Sequence, residues 1–181
     1  MKYANTKVAS KKQEKRIAKE INAKVTVASG ALDFQKADVR NDLFLVEAKT
    51  TEKDFYPLNI KTWEKINDQA LHDGMRTPIM CVDLYDGKFS VAIINLNDFD
   101  AMLKGDFKFT EPLKPIVAKT STRIKPDFIF SPSECDLNHF KDPFYKVQLV
   151  HFKSPLKPTT TLVLLDWNDF IYLQGEINNE N

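Results

Sequence analysis

Residues Leu43 to Thr51 read Leu-Phe-Leu-Val-Glu-Ala-Lys-Thr-Thr, and this stretch decides the fold. Within it, Leu43 to Thr50 is the strongest strand signal in the chain. Phe44, Val46 and Ala48 alternate with Leu45, Glu47 and Lys49, so a strand sends the two series to opposite faces. An acid and a base two residues apart then share one face of an otherwise apolar strand.

Upstream, Arg40-Asn41-Asp42 is turn chemistry, and a short strand around Gln35 to Val39 is expected to end with Asp38 near that turn. Lys24 to Ala28 alternates as a further strand, broken by Ser29-Gly30-Ala31. Ser10 is read as the N-cap of a helix from about Lys11 to Asn22. Glu14, Ile17, Ala18 and Ile21 fall on one face of that helix, with Glu20 turned towards the lysines. Glu14 is therefore expected to aim inward.

Downstream, Thr51 to Leu58 reads as a loop. A helix over about Asn59 to Asp73 carries Ile60, Trp63, Ile66 and Ala70 as its inner stripe, with Gly74 just past its end. Pro78 to Leu84 and Lys88 to Leu96 read as strands joined at Asp86-Gly87. Asn97-Asp98 is expected to cap a short helix over Phe99 to Leu103. Beyond Gly105 the pattern changes: seven of the nine prolines lie there, and 106–144 has no clear period. Tyr145 to Phe152 and Thr160 to Asp166 return as strands. Asn168-Asp169-Phe170 then repeats Asn97-Asp98-Phe99 in the same setting after a strand pair. The fold class expected is α/β, with a core over 1–104 and a β-rich C-terminal extension over 105–181.

Composition narrows the function. The 181 residues are 43% hydrophobic and 28% charged, enough apolar mass for a real core. No apolar run reaches the length of a membrane span, and Met1 to Ser10 does not read as a secretory signal. Cys81 and Cys135 read as ordinary thiols of a cytoplasmic protein. His72, His139 and His151 lack zinc spacing. The net charge is only +1, yet residues 1–24 hold eight basic and two acidic side chains. A basic end of that kind can meet phosphates.

Antiparallel pairing across the turn at Arg40-Asn41-Asp42 would bring Asp38 to the face of Glu47 and Lys49. Two carboxylates so placed call for a cation, and hard oxygen donors suit Mg²⁺ or Mn²⁺. A lysine beside them can orient water and stabilise charge on a phosphate. Asp33 is an alternative ligand, read instead as a loop acid.

In these residues, Asp38 with Glu47-Ala48-Lys49 after a helix bearing Glu14, the chain resembles the PD-(D/E)XK nuclease superfamily. More narrowly it is similar to phage and archaeal Holliday junction resolvases, through Glu14, Ser29-Gly30, Asp38 and Glu47-Ala48-Lys49-Thr50-Thr51. The match covers about residues 10–100, and Ala37, not proline or glycine, precedes Asp38. The resemblance implies a restriction-endonuclease-like core, with a central mixed β-sheet flanked by helices. It implies a metal-dependent endonuclease cutting DNA, branched DNA by preference, as a homodimer. Asp38, Glu47 and Glu14 would hold Mg²⁺, with Mn²⁺ as a substitute, and Lys49 would complete the catalytic set. Lys11, Lys12, Lys15, Ser29, Gly30, Thr51 and Lys53 would contact DNA. The alternatives are a restriction- or repair-type endonuclease on ordinary duplex, or a catalytically inactive DNA-binding or interaction protein on the same fold.

Overall fold

The computed structural model describes residues 2–26, 37–103, 108–109, 115–126, 133–136, 144–154 and 158–179. The chain opens with helix α1 (Lys2–Glu20), followed by strands β1 (Lys24–Val25), β2 (Val39–Arg40), β3 (Phe44–Thr50) and β4 (Tyr56–Asn59). Helix α2 (Ile60–His72), strands β5 (Thr77–Leu84) and β6 (Phe89–Asn95) and helix α3 (Leu96–Met102) complete the first part. Short strands β7 (Lys108–Phe109), β8 (Ile116–Ala118), β9 (Ser121–Ile124) and β10 (Ser133–Asp136) follow. The long strands β11 (Phe144–Phe152) and β12 (Thr160–Asp166) lead into helix α4 (Trp167–Asn179).

The result is an α/β architecture with one mixed sheet in the order β1-β2-β3-β5-β6-β12-β11-β10-β7, with β8 also on β11. β3 and β5 run parallel, joined by α2, while β5–β6, β6–β12 and β12–β11 are antiparallel. Strand alternation splits the core in two. Phe44, Val46, Ile79, Cys81, Ala92 and Ile94 face α1, α3 and α4. Met80, Val82, Leu84, Val91 and Ile93 face α2 and Leu58 of β4. Among the described residues β4 pairs with β9 alone, as a two-stranded ribbon on the α2 side. Among the described residues, no helix is long and apolar enough to cross a membrane.

Several expected boundaries move. Ser10 lies inside α1, which begins at Lys2; the preceding residues include alanine and lysine, good helix formers that need no cap at Ser10. α3 starts at Leu96, because the Asn95 side chain accepts from the Asn97 N–H and caps it. Thr51 to Leu58 is not all loop, since Tyr56 and Leu58 find partners in β9. Asp38 immediately precedes its strand instead of ending it. The α2 stripe is as expected, with Trp63, Ile66 and Ala70 buried and Asn59 as the N-cap. β12 lies beside β6, so the sheet and both core layers run across the 104/105 boundary.

The repeated Asn-Asp-Phe marks a deeper regularity. Superposing Asp98 on Asp169 makes Ile93 equivalent to Leu164, and these two residues pair with each other. Ala92 pairs with Leu165 and Ile94 with Val163, a reciprocal pattern about a local two-fold axis. The axis carries β5 onto β11 and, through register, the parallel neighbour β3 onto β8. Even side-chain bonds repeat. The Ser90 hydroxyl donates to Asp83 at 2.6 Å, and their equivalents Thr161 and His151 are hydrogen-bonded at 2.8 Å. Phe99 and Phe170 are both fully buried. On this mapping Lys49, opposite Val82, corresponds to Ile116, opposite Val150.

Ile93 and Leu164 meet at the axis with no exposed surface. Truncating either to alanine should cost about 2–5 kcal/mol. The double variant should depart from additivity, because the two side chains share one environment. Urea unfolding followed by both tryptophan fluorescence and circular dichroism checks this, with one coincident transition expected for the whole chain.

Candidate active site

α1 docks through a residue the periodicity did not single out. Gln13 is 3% exposed, and its Nε2 donates to the carbonyls of Lys49 at 2.9 Å and Cys81 at 3.1 Å. The stripe that faces the sheet is therefore Gln13, Ile17 and Ile21, at i, i+4 and i+8. Glu14 is half-buried at the margin of this contact and does not point into the core. The i+4 spacing back from Ile17 was the available signal; its polar side chain hid it. Arg16 anchors the same helix, donating to Asp83 at 2.8 Å and to Glu20 at 3.1 Å. Glu20 is exposed as expected, and it also accepts from the Trp167 indole N–H at 2.8 Å, tying α1 to α4.

The acids come together as the turn implied. β2 and β3 are antiparallel, with Val39 opposite Val46. Val39 and Val46 face α1, which turns Asp38, Glu47 and Lys49 to the opposite side. The Ala48 N–H donates to Asp38 Oδ2 at 2.8 Å. Lys49 Nζ pairs with Glu47 Oε1. Burial, then the charge of Glu47, push the Asp38 carboxyl up to about 6, against the opposing Ala48 bond. Burial also raises the Glu14 carboxyl, with Lys11 opposing and Glu47 reinforcing. Burial works to lower the Lys49 ammonium, but Glu47 and Asp38 outweigh it and hold the group charged. Tyr56, at the start of β4, joins the same field. Burial raises its phenol, while Lys49 lowers it and Glu47 raises it. Tyr56 was legible only as a loop residue, because its strand partner Ile124 lies far along the chain.

The remaining expected residues divide. Lys11, Lys12 and Lys15 are exposed on α1. Thr51 is half-buried, and its hydroxyl accepts from the Lys53 N–H at 3.1 Å. Lys53 is exposed, with Nζ 5.3 Å from the centre of the Phe55 ring. Ser29, Gly30 and Asp33 lie outside the described residues. A cavity of about 520 Å³ opens beneath α1, at the C-terminal ends of β3 and β5. Lys12, Gln13, Arg16, Thr50 and Asp83 are among its walls. It borders the α1 side of the sheet, away from the face that carries Glu47 and Lys49.

The donor set and its charges suit a hard cation, since three carboxyls share one field with Lys49 and Lys11 as the nearby positive groups. The placement is not yet that of a metal cage. Among the described residues, no three His, Cys, Asp or Glu side chains are arranged to hold a metal ion. Glu47 is engaged by Lys49 and Asp38 by the Ala48 N–H. No family model matches the chain, and no curated protein or solved structure matches it.

The raised Asp38 carboxyl has a consequence for stability. Below the unfolded value of 3.8 both states are protonated, and the folded state carries no penalty. As pH climbs towards 6, the folded carboxyl resists ionising and stability falls, the full loss being reached above about 6. Asp38→Asn keeps an acceptor for the Ala48 N–H and removes the charge. It should stabilise the metal-free protein at pH 8 by on the order of 1 kcal/mol after solvent screening, and by nearly nothing at pH 3.5. Urea unfolding at the two pH values measures the difference.

Proposed function

We propose that this chain is a Mg²⁺-dependent DNA endonuclease on a restriction-endonuclease-like core, and that it cuts branched DNA in the manner of a Holliday junction resolvase. The observation that carries the reading is Asp38, Glu47 and Lys49 on one face of the sheet, with Glu14 in the field of Asp38 and Glu47, on a strand end held by Gln13 and bordered by Tyr56. A purely structural ion pair needs one acid for one base. Here burial, with the charge of Glu47 beside it, raises the proton affinity of both Asp38 and Glu14, a cost that a functional site can justify.

Asp38 and Glu47 would hold the cation, with Glu14 completing the set and Mn²⁺ able to substitute. The chemistry it supplies when bound is activation of water and neutralisation of charge at phosphorus. Binding requires Glu47 to release Lys49. The freed ammonium, held protonated by its acidic neighbours, then faces the phosphate as a hydrogen-bond donor. It can stabilise negative charge as the water oxygen bonds to phosphorus and the bridging oxygen departs. The same charge state makes Lys49 a poor general base. The lysines of α1 supply the phosphate contacts.

The reading includes a homodimer, because the internal repeat supplies no second site. Ile116 stands where a second Lys49 would be, so that repeat lacks the lysine. Two symmetric cuts then need two chains. A second reading, DNA binding without cleavage, draws on the closed Glu47–Lys49 pair.

One experiment separates these. Four-way junction and linear duplex of equal length are incubated with the protein across a Mg²⁺ titration, and sedimentation reports the working assembly. The junction should be cut by a dimer and preferred over duplex. Asp38→Ala and Glu47→Ala should each lower cleavage by about 100-fold or more, and Lys49→Ala should lower turnover strongly, with DNA affinity changing little in all three. Equal cutting of both substrates by a monomer would favour a duplex endonuclease. Binding without Mg²⁺-dependent cleavage would favour the inactive reading.

A further inference from the structure

We infer that the β4–β9 ribbon is a second phosphate-binding wall, built on Phe55 with Lys53 and Arg123, and that its partner is the sugar-phosphate backbone of the DNA entering the proposed site. Lys53 Nζ lies 5.3 Å from the centre of the Phe55 ring and Arg123 Cζ lies 4.8 Å from it. One half-buried ring thus gathers two exposed cations from segments distant in sequence. Among the described residues, neither cation forms an ion pair with a carboxylate. Two like charges on one aromatic ring repel each other, and an anion bridging them relieves that repulsion. The ring also limits the freedom of two long side chains, so less entropy is lost when an anion binds.

Position links this pair to the proposed site. Arg123 pairs with Pro57, and Tyr56 pairs with Ile124 in the next register step. Tyr56 and Leu58 turn inward, where Leu58 is buried and Tyr56 packs beside it. Phe55 and Pro57 therefore fall on the outer face of the ribbon. The loop that carries Lys53 and Phe55 leaves directly from the end of β3, a few residues past Lys49. Its backbone is fixed there, since the Tyr85 N–H donates to the Lys53 carbonyl at 3.2 Å and the Asp86 N–H to the Thr51 carbonyl at 3.1 Å. Glu52 and Asp54 lie exposed in the same loop. They weaken the positive field there, which favours discrete phosphate contacts over diffuse attraction. Phe55 has its ring committed to the two cations, so recognition is of phosphates and not of stacked bases. This assigns a part of 105–181 to substrate binding.

The inference rests on the nuclease reading, and the test keeps the two apart. Fluorescence anisotropy with labelled four-way junction and linear duplex is measured in EDTA, over a salt series, on the full chain. Lys53→Gln and Arg123→Gln should each weaken binding by roughly threefold at low salt, and the double variant by about tenfold. The magnitude of the log–log salt slope should fall by about one for each cation removed. Phe55→Leu keeps both charges, so affinity should fall with the slope preserved. Lys146→Gln, an exposed lysine on β11, should change neither quantity. Unchanged affinity and slope in the double variant, with the parent protein binding DNA, would overturn this inference alone. Equal losses for labelled polyglutamate would assign the pair to acidic protein partners and overturn it too. No DNA binding by the parent protein would overturn the nuclease reading and this inference with it.

Discussion

The candidate site depends on the register in which Val39 meets Val46. That pairing places Asp38 beside the Ala48 N–H and puts Asp38, Glu47 and Lys49 on one side of the sheet. A slip of one residue would send Glu47 and Lys49 into the layer of Ile17 and Phe170, and bring Val46 out. Two things prevent it. The apolar series Phe44, Val46 and Ala48 packs beneath α1. The Asn41 side chain also accepts from the N–H groups of Leu43 and Phe44, at 3.0 and 2.7 Å, and so fixes where the strand begins.

The same strand shows how stability and chemistry are divided. Its first three residues are buried, whereas Glu47 to Thr50 are only partly so. The apolar end anchors the strand, and the polar end emerges where α1 covers one side and Tyr56 borders the other. Gln13 joins the two regimes by bonding the Lys49 carbonyl from within the buried layer. Among the described residues its own Oε1 has no partner, and a buried acceptor left so costs about 1–3 kcal/mol. The docking of α1 has to outweigh that cost through Ile17, Ile21 and the Arg16–Asp83 ion pair.

Much of this was legible in the residues, and the failures have physical causes. The strand over 43–50, the α2 stripe and the convergence of Asp38 with Glu47 followed from local periodicity and one turn. Glu14 was placed on the right helix but given the buried position that Gln13 holds, because a helical face is broad and side-chain chemistry alone cannot rank neighbours. Glu20 is exposed as read, but its bond to the Trp167 indole was not legible, because Trp167 lies near the other end of the chain. The ribbon was illegible: Tyr56 and Ile124 are each unremarkable until they pair. The Asn-Asp-Phe echo was visible as three letters, but its meaning required the β6–β12 register.

That register also constrains how copies of the chain can meet. A unit of two strands and a helix exposes a strand that could hydrogen-bond to another such unit. Here β6 and β12 satisfy one another inside a single polypeptide, so this edge is closed to outside partners. At the two ends of the sheet order, β1 and β7 are two residues each. A second copy of the chain therefore cannot extend the sheet through β6 or β12, whose backbone partners are already supplied within the polypeptide.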